Sequence, residues 1–303
     1  MRVFLTGATG YTGGVVLEHL LAAGLEVSAL ARPHHLPTLP VRPGLSWIGG
    51  DFAQPEIIFD AARATDATIH IGASHDVENA EMERLDGLTI RAVADALAGS
   101  GKTFINTSAT PVYGDTGPTP RDESEPVLHP LPAREWRLRH DRETVAMSGR
   151  GLRSVVLRPP MIYGRGAGVL GKQIARAQAS GKARYIGAGT PLSSTVDVDV
   201  LAVLYLKALR NERAQGVYNA ASDEVVRAAD IAQAIAQIFG PGIVAESWPL
   251  DDARKTMGIL ADISTIDCVV SSERARRELG WAPNAISMMG DLAAGSYRAL
   301  AAR

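Results

Sequence analysis

Residues 6–14 have the sequence TGATGYTGG, which places glycines at positions 7, 10 and 13. The stretch follows an apolar run over residues 1–7 and precedes the helical pattern GGVVLEHLLAAG. Glycines at this spacing between a strand and a helix predict a site for dinucleotide phosphates. Gly7 permits the tight turn, Gly10 lets the backbone approach a pyrophosphate, and Gly13 lets the helix pack closely on the strand. The helix N-terminus then presents N–H groups and a positive dipole end to the anion. The alternative is an ordinary glycine-rich turn.

Six short apolar runs alternate with helical patterns in the first half of the chain. Their nearly continuous apolar character is typical of parallel strands that are buried on both faces. The runs lie at residues 1–7, 26–32, 45–51, 67–72, 102–108 and 153–159. We predict an α/β fold, with a Rossmann-type doubly wound parallel sheet over residues 1–165 that is rejoined by segments near 193–225 and 263–270. Residues 166–303 are predicted to form mainly a smaller, α-rich C-terminal lobe that binds substrate, including a last helix over residues 286–302.

The composition is that of an ordinary globular protein of 303 residues with a formal net charge of -2. This charge gives no broad attraction to nucleic acid or to anionic membranes, so neither is an expected partner. One cysteine, Cys268, excludes an intrachain disulfide and a thiolate metal cluster, and the histidine spacing predicts no metal site. Apolar stretches fall short of the roughly 20 residues that a membrane span needs. We therefore expect a cytoplasmic protein.

Five further stretches resemble the extended short-chain dehydrogenase/reductases, whose first turn has the same glycine spacing. They are GDF at 50–52, IHIGAS at 69–74, TSATPVYG at 107–114, LRPPMIYGRG at 157–166 and RARRELGWAP at 274–283. The resemblance implies a nicotinamide cofactor, with the Asp of GDF accepting a hydrogen bond from the adenine amino group. The expected cofactor-binding residues are Gly7, Thr9, Gly10, Tyr11, Thr12, Gly13, Arg32, Asp51, Phe52, Gly72, Ala73, Ser74, Arg139, Pro160 and Ile162.

The end of the second strand bears on the choice between NAD and NADP. An acidic residue there would bind the ribose 2′-hydroxyl and repel a 2′-phosphate. This chain has Ala31 and Arg32 at that place. An arginine can hold the phosphate by charge-assisted hydrogen bonds, so we predict NADP, with NAD as the alternative. A solvated loop arginine is the other interpretation of Arg32.

Catalysis in this family is attributed to a Ser or Thr with a Tyr-x-x-x-Lys pair on one helix, and the pair is missing here. If Glu143 matches the glutamate that usually follows the lysine, Arg139 takes the lysine position and Glu135 the tyrosine position. Arg139 can bind the nicotinamide ribose but is not a tunable proton carrier. Glu135 is either a general base or the surface ion-pair partner of Arg139.

The catalytic hydroxyl position of the family falls on Ala109 in this chain. Ser108, one residue earlier, either replaces that hydroxyl or is a structural serine.

Two tyrosines next to the expected cofactor are candidates for the missing phenol. Tyr113 and Tyr163 each precede a glycine, and each either supplies the proton or simply packs in the core. The resemblance implies an NAD(P)-dependent oxidoreductase or an epimerase/dehydratase-like enzyme that acts on a small carbonyl or nucleotide-sugar-like molecule. Loss of the Tyr and Lys leaves open a non-catalytic NADP-binding redox sensor or scaffold. The resemblance also implies a homodimer through helices at about 78–98 and 134–148.

Overall fold

The computed structural model describes residues 1–73, 77–127 and 129–300. Its strands are β1 (Arg2–Thr6), β2 (Glu26–Ala31), β3 (Leu45–Gly49), β4 (Ala67–His70), β5 (Thr103–Thr107), β6 (Arg153–Arg158), β7 (Met161–Tyr163), β8 (Lys182–Ile186), β9 (Leu192–Asp197), β10 (Gly216–Asn219), β11 (Val225–Arg227) and β12 (Val244–Trp248). Its helices are α1 (Tyr11–Ala22), α2 (Pro55–Arg63), α3 (Asn79–Leu97), α4 (Glu135–Ala146), α5 (Gly168–Ser180), α6 (Val198–Arg210), α7 (Ala228–Phe239), α8 (Leu250–Met257), α9 (Ile259–Ile263), α10 (Glu273–Leu279) and α11 (Met288–Ala294). Within these ranges, no helix combines the length and the apolar character that crossing a membrane requires.

Seven strands form one parallel sheet in the order β10-β6-β5-β4-β1-β2-β3. The chain runs outward from β1 to β3 and then crosses back, so that β4 lies on the other side of β1. This reversal is the switch point at which doubly wound sheets leave a crevice beyond the carboxyl ends of their strands. The predicted α/β fold is confirmed, and it places the end of β1 at the crevice.

Helices cover both faces of this sheet because successive side chains of each strand point to opposite sides. On one face, Leu5 of β1 belongs to a buried cluster with Leu20 of α1 and Leu201 of α6. On the other face, Phe4 packs with Ile90 of α3 and with the apolar residues of α2. Strand β1 is therefore buried by two helical layers, as its continuous apolar run predicts.

The C-terminal part of the chain has two small sheets and a second core. β7 pairs in parallel with β9, which pairs antiparallel with β11, and β8 pairs in parallel with β12. Helices α5, α7 and α11 enclose a separate buried cluster around Ile174, Ile235 and Leu292. Of the two segments predicted to rejoin the large sheet, residues 193–225 contribute β10, while β9 and β11 lie in the small sheet. The segment 263–270 makes isolated bridges, Arg121 with Val270 and Ser193 with Cys268.

The predicted last helix over residues 286–302 is shorter in the structure. Helix α11 ends at Ala294, and the chain then bends at Gly295. The carboxylate of Asp291 accepts hydrogen bonds from the amide and from the hydroxyl of Ser296. A Cβ on Gly295 would lie 2.0 Å from Oδ1 of Asp291. The side chain of Asp291 therefore takes the place of the next helical turn, a competition that helical periodicity does not register.

Two tyrosines connect the start of α1 to the C-terminal part of the chain. Tyr11, the first residue of α1, donates its hydroxyl hydrogen to the carbonyl of Gly164 at 2.9 Å. The amide of Gly164 donates to the hydroxyl of Tyr297 at 2.8 Å, and Tyr297 donates to the carbonyl of Ala167 at 2.8 Å. The ring of Tyr11 also lies against Gly168, where a Cβ would be 2.7 Å from it. The segment after β7 is thus fixed from both sides.

Candidate functional site

The glycines at positions 7, 10 and 13 form a cradle at the end of β1. Gly7 has a φ of 78°, and the amide of Gly10 donates to its carbonyl at 2.9 Å. A Cβ on Gly13 would lie 2.0 Å from the carbonyl oxygen of Gly7, so only glycine fits there. The first backbone hydrogen bond inside α1 is donated by Gly14, and no described side chain caps the helix. The amides of residues 11–13 therefore remain available to an anion.

The loop after β4 forms the opposite wall of the cradle. A Cβ on Gly7 would lie 2.6 Å from the amide nitrogen of Gly72, so the two backbones are in direct contact. A Cβ on Gly72 would lie 2.4 Å from the ring of Phe52. Ala73 continues this wall, and the predicted Ser74 lies outside the described residues. The structure thus packs the predicted Gly72 between the predicted Gly7 and Phe52.

The ends of β2 and β3 bring two further predicted residues together. Nε of Arg32 lies 3.4 Å from Oδ2 of Asp51, and each side chain is between a third and two fifths exposed. The other carboxylate oxygen of Asp51 accepts a hydrogen bond from the amide of Ala53 at 3.1 Å. Since β2 and β3 follow β1 in the sheet, the pair lies on one side of the cradle. This is the position that the sequence predicts for the adenosine end of the cofactor.

The remaining predicted cofactor residues differ in how accessible their side chains are. Thr9 is exposed and Thr12 half-buried at the cradle. The hydroxyl of Tyr11 is engaged with Gly164, and burial raises its pKa far above the ordinary value, so this residue faces the C-terminal part of the chain and only its amide faces the cradle. Pro160 is buried after β6, and Ile162 is half-buried in β7.

A buried polar cluster lies at the carboxyl end of β5. Ser108 directly follows this strand, and its hydroxyl donates to Oδ2 of Asp141 at 2.8 Å. Nε of Arg158, at the end of β6, donates to the same oxygen at 2.9 Å. The other oxygen of Asp141 is buried and has no hydrogen-bond partner among the described residues. Burial raises the pKa of Asp141, although the charge of Arg158 and the hydrogen bond from Ser108 oppose this shift.

Tyr113 belongs to the same cluster. Its hydroxyl donates to Oδ1 of Asn219 at 3.0 Å, and the guanidinium of Arg158 stacks on its ring at 4.8 Å. Burial raises the pKa of Tyr113 even though Arg158 opposes the shift. The phenol therefore stays protonated, and its hydrogen is committed to Asn219. Tyr163 is likewise engaged, because its hydroxyl donates to the carbonyl of Ile286 at 2.5 Å.

The structure places Glu135 and Arg139 apart from this cluster. Both side chains are exposed on α4. Arg139 forms an ion pair with Glu83 of α3 and not with Glu135, the partner that the sequence suggests. The face of α4 that meets β5 carries Arg137 and Asp141 instead. Nη1 of Arg137 donates to the carbonyl of Thr107 at 3.3 Å. These two residues have the same spacing of four as the expected pair Glu135 and Arg139, but they lie two positions later than the match to Glu143 would give.

A second buried chain of polar groups connects the cradle with α3 and α4. Oγ1 of Thr6 lies 2.6 Å from Nδ1 of His70, and Nε2 of His70 lies 3.2 Å from Oδ1 of Asp86. Oδ2 of Asp86 lies 2.6 Å from Nδ1 of His140. Burial opposes the charge on Asp86, but the hydrogen bonds from His140 and His70 hold its pKa well below the usual range. The carboxylate thus orients both imidazoles and fixes the end of β4 next to Gly72.

The comparisons with known proteins identify the fold and the family. A model of the NAD dependent epimerase/dehydratase family matches residues 3–221. The chain belongs to this family. The family assignment agrees with the resemblance to the extended short-chain dehydrogenase/reductases, and the glycine cradle is the part that would hold the family's nicotinamide cofactor. The cradle fits a diphosphate, because the amides of residues 11–13 have no hydrogen-bond partner among the described residues.

Similar proteins cover most of the chain. An uncharacterized protein of Saccharomyces cerevisiae is 31% identical over 305 residues, which cover 97% of this chain and 98% of the yeast protein. The 2-alkyl-3-oxoalkanoate reductase of Stenotrophomonas maltophilia is 24% identical over 216 residues, 69% of this chain and 65% of the reductase. The crystal structure of dTDP-glucose 4,6-dehydratase from Bacillus anthracis in complex with NAD has a TM-score of 0.80 and 15% identity, covering 98% of this chain and 96% of that one. The last similarity concerns the fold alone.

Sequence reasoning missed three members of the polar cluster. Arg158 lies in the stretch 157–166, but the sequence predicts no role for it. Arg137 and Asp141 are not among the expected site residues, because the match at Glu143 assigns the Tyr and Lys positions to Glu135 and Arg139. One signal for the correct face was available. His140 and Asp141 stand four residues after Trp136 and Arg137, a spacing that places them on one side of a helix, and three of these four are buried.

Proposed function

We propose that this protein is an NADP-dependent oxidoreductase that interconverts a ketone and an alcohol, with Ser108 and Asp141 in place of the missing Tyr and Lys. The observation that carries the proposal is the hydrogen bond of 2.8 Å from Ser108 to a buried carboxyl group whose second oxygen has no hydrogen-bond partner in the described part of the chain. The names of the more distant relatives support a carbonyl substrate, since the Stenotrophomonas protein is a 2-alkyl-3-oxoalkanoate reductase.

The chain's own part in such a reaction is to move one proton. When bound, the nicotinamide ring supplies or accepts the hydride. Because the hydrogen of Ser108 points to Asp141, its oxygen is free to accept the hydroxyl hydrogen of a substrate alcohol. The serine hydrogen then passes to Asp141, whose raised pKa favours the protonated form. Carbonyl reduction uses the same two steps in reverse, with the proton leaving Asp141 and Ser108 protonating the carbonyl oxygen.

Arg32 supports NADP over NAD in this proposal. It directly follows β2, and Asp51 orients its guanidinium from the end of β3. A ribose 2′-phosphate placed there would receive charge-assisted hydrogen bonds from a planar donor group. The homodimer through the helices at about 78–98 and 134–148 stays a prediction from the resemblance.

The experiment measures NADPH oxidation with a panel of ketones, aldehydes and nucleotide sugars. Once a substrate is found, Ser108→Ala should lower kcat by about 10²- to 10⁴-fold and leave NADPH affinity unchanged, because the ion pair between Asp141 and Arg158 remains. Asp141→Asn should also lower kcat, and the alcohol oxidation that remains should lack the decline that the parent shows as the pH falls through the raised pKa of Asp141. Glu143→Gln, an exposed carboxylate on the same helix, is the matched control.

Two results would contradict the proposal. The first is a Ser108→Ala variant that turns over as fast as the parent, which would exclude this serine as the proton carrier. The second is a parent protein that binds NADPH and oxidises it with no member of the panel, which would favour the redox sensor or scaffold.

A further inference from the structure

Two arginines lie at the start of α4, close to the carboxyl end of β5. Arg134 is the last residue before α4, and Arg137 lies in its first turn. Both side chains are half-buried. Arg137 donates to the carbonyl of Thr107, which is joined through one peptide bond to Ser108, and it stacks on Trp136 at 4.5 Å. The guanidinium of Arg137 is therefore fixed beside the serine that carries the proton in the proposed function.

No ion pair within the described part of the chain neutralises the charges of these two arginines. Neither forms an ion pair with a carboxylate of residues 1–73, 77–127 or 129–300, in contrast to Arg139 and Arg158. Burial, together with repulsion from Arg137, lowers the pKa of Arg134 to about 10. Arg137 attracts the buried carboxylates of Asp86 and Asp141 electrostatically, but both are already hydrogen-bonded to other residues. Asp141 accepts from Arg158, and Asp86 lies between two histidines.

We propose that Arg134 and Arg137 bind an anionic group of the substrate, a carboxylate or a phosphate, and so hold its carbonyl beside Ser108. The inference rests on the proposed function, because it names the class of molecule that the same site takes. Each guanidinium group presents a planar fork of N–H donors that matches the oxygens of either anion, and the two groups are close enough for Arg137 to lower the pKa of Arg134. An anion bound there would neutralise a pair of like charges that is costly to bury.

Thermal unfolding of the NADP-loaded protein tests this inference without any turnover. Sodium malonate and sodium phosphate are the probes, each compared with sodium chloride at equal ionic strength. Either probe should raise the Tm of the parent by a few degrees, and the probe that acts at the lower concentration tells carboxylate from phosphate. Arg134→Gln should abolish the shift, while Arg142→Gln, which removes an exposed arginine from the same helix, should keep it.

Arg134→Gln gives a second readout that a structural arginine would not give. Without a probe, this variant should melt at a higher temperature than the parent, because it removes a half-buried charge that has no ion-pair partner among the described residues. Arg137→Lys keeps the charge but loses the planar donor pair, and it should weaken the malonate effect without restoring parent behaviour. With a reactive pair such as acetoacetate and its methyl ester, Arg134→Gln should raise KM for the acid about ten- to a hundredfold and leave KM for the ester unchanged.

The outcomes separate this inference from the proposed function. Absence of a Tm shift in the parent, or an equal shift in Arg134→Gln, overturns the anion site. So does an Arg134→Gln protein that melts below the parent in the absence of a probe. A Ser108→Ala variant that keeps the Tm shift supports the anion site even if its turnover equals that of the parent, a result that removes only the proton carrier.

Discussion

Replacement of Gly13 by alanine is the sharpest test of the cofactor cradle. The new Cβ would lie 2.0 Å from the carbonyl oxygen and 2.5 Å from the carbonyl carbon of Gly7. An ordinary contact begins at 3.4 Å, so the approach is too close by about 1.4 Å. Both atoms that collide with it are backbone, and neither can move away by rotating a side chain. Helix α1 must therefore shift away from the end of β1.

The size of the effect follows from that shift. Inserting one methyl group into a packed region costs about 1–3 kcal/mol, and a collision with backbone belongs at the upper end. Because the shift moves the amides of residues 11–13 out of the cradle, about 3 kcal/mol should also be lost from nucleotide binding. At about 1.4 kcal/mol for each factor of ten, this corresponds to a loss of NADPH affinity of about a hundredfold or more.

Gly14→Ala is the matched control, because it adds the same methyl group one residue later. Its Cβ would lie 3.4 Å from the carbonyl oxygen of Ala8, an ordinary contact, within the regular part of α1. Alanine should stabilise this helix by about 0.5–1 kcal/mol and leave binding unchanged. Calorimetric titration with NADPH and NADH, together with urea unfolding, measures both quantities. A Gly13→Ala protein with parent affinity and parent stability would refute the cradle.

Two further predictions concern the cofactor and the buried carboxylate. Arg32→Glu should change the ratio of the Kd values for NADPH and NADH by about ten- to a hundredfold in favour of NADH, and an unchanged ratio in fluorescence titrations would remove this arginine from the 2′-phosphate site. The folded-state pKa of Asp86 is lowered, so its charge stabilises the protein above the unfolded-state pKa of about 3.9, and this contribution is lost as the pH falls further. Asp86→Asn should therefore reduce the free energy of unfolding at pH 7 by about 2 kcal/mol or more. Below about pH 4, the variant should lose less stability than the parent. Urea unfolding at several pH values measures both effects, and equal pH slopes for variant and parent would contradict this prediction.

The sequence was sufficient to predict those features that depend on local geometry. Continuous apolar runs predicted the strands, and the spacing of Gly7, Gly10 and Gly13 predicted a strand, a tight turn and a closely packed helix at one place. All three depend on neighbouring residues and on steric limits of the backbone, which do not require knowledge of the rest of the fold.

The polar cluster could not be predicted in the same way, because its contacts join distant parts of the chain. Asp141 of α4 meets Arg158 of β6 only when the sheet has formed, and Tyr113 meets Asn219 across more than a hundred residues. The face of α4 that meets β5 differs from the expected one for another reason. The expected alignment of the whole helix depends on one residue, Glu143. The buried positions of that helix would have been a better guide than a single matched residue.

The backbone of Gly164, held between Tyr11 and Tyr297, makes ligand binding at the two parts of the molecule reciprocal. Whatever free energy this shared peptide unit transmits between a nucleotide at the start of α1 and a ligand at the segment after β7 must change both affinities by the same factor. Cofactor affinity measured with and without that ligand, and ligand affinity measured with and without cofactor, must therefore give one and the same ratio.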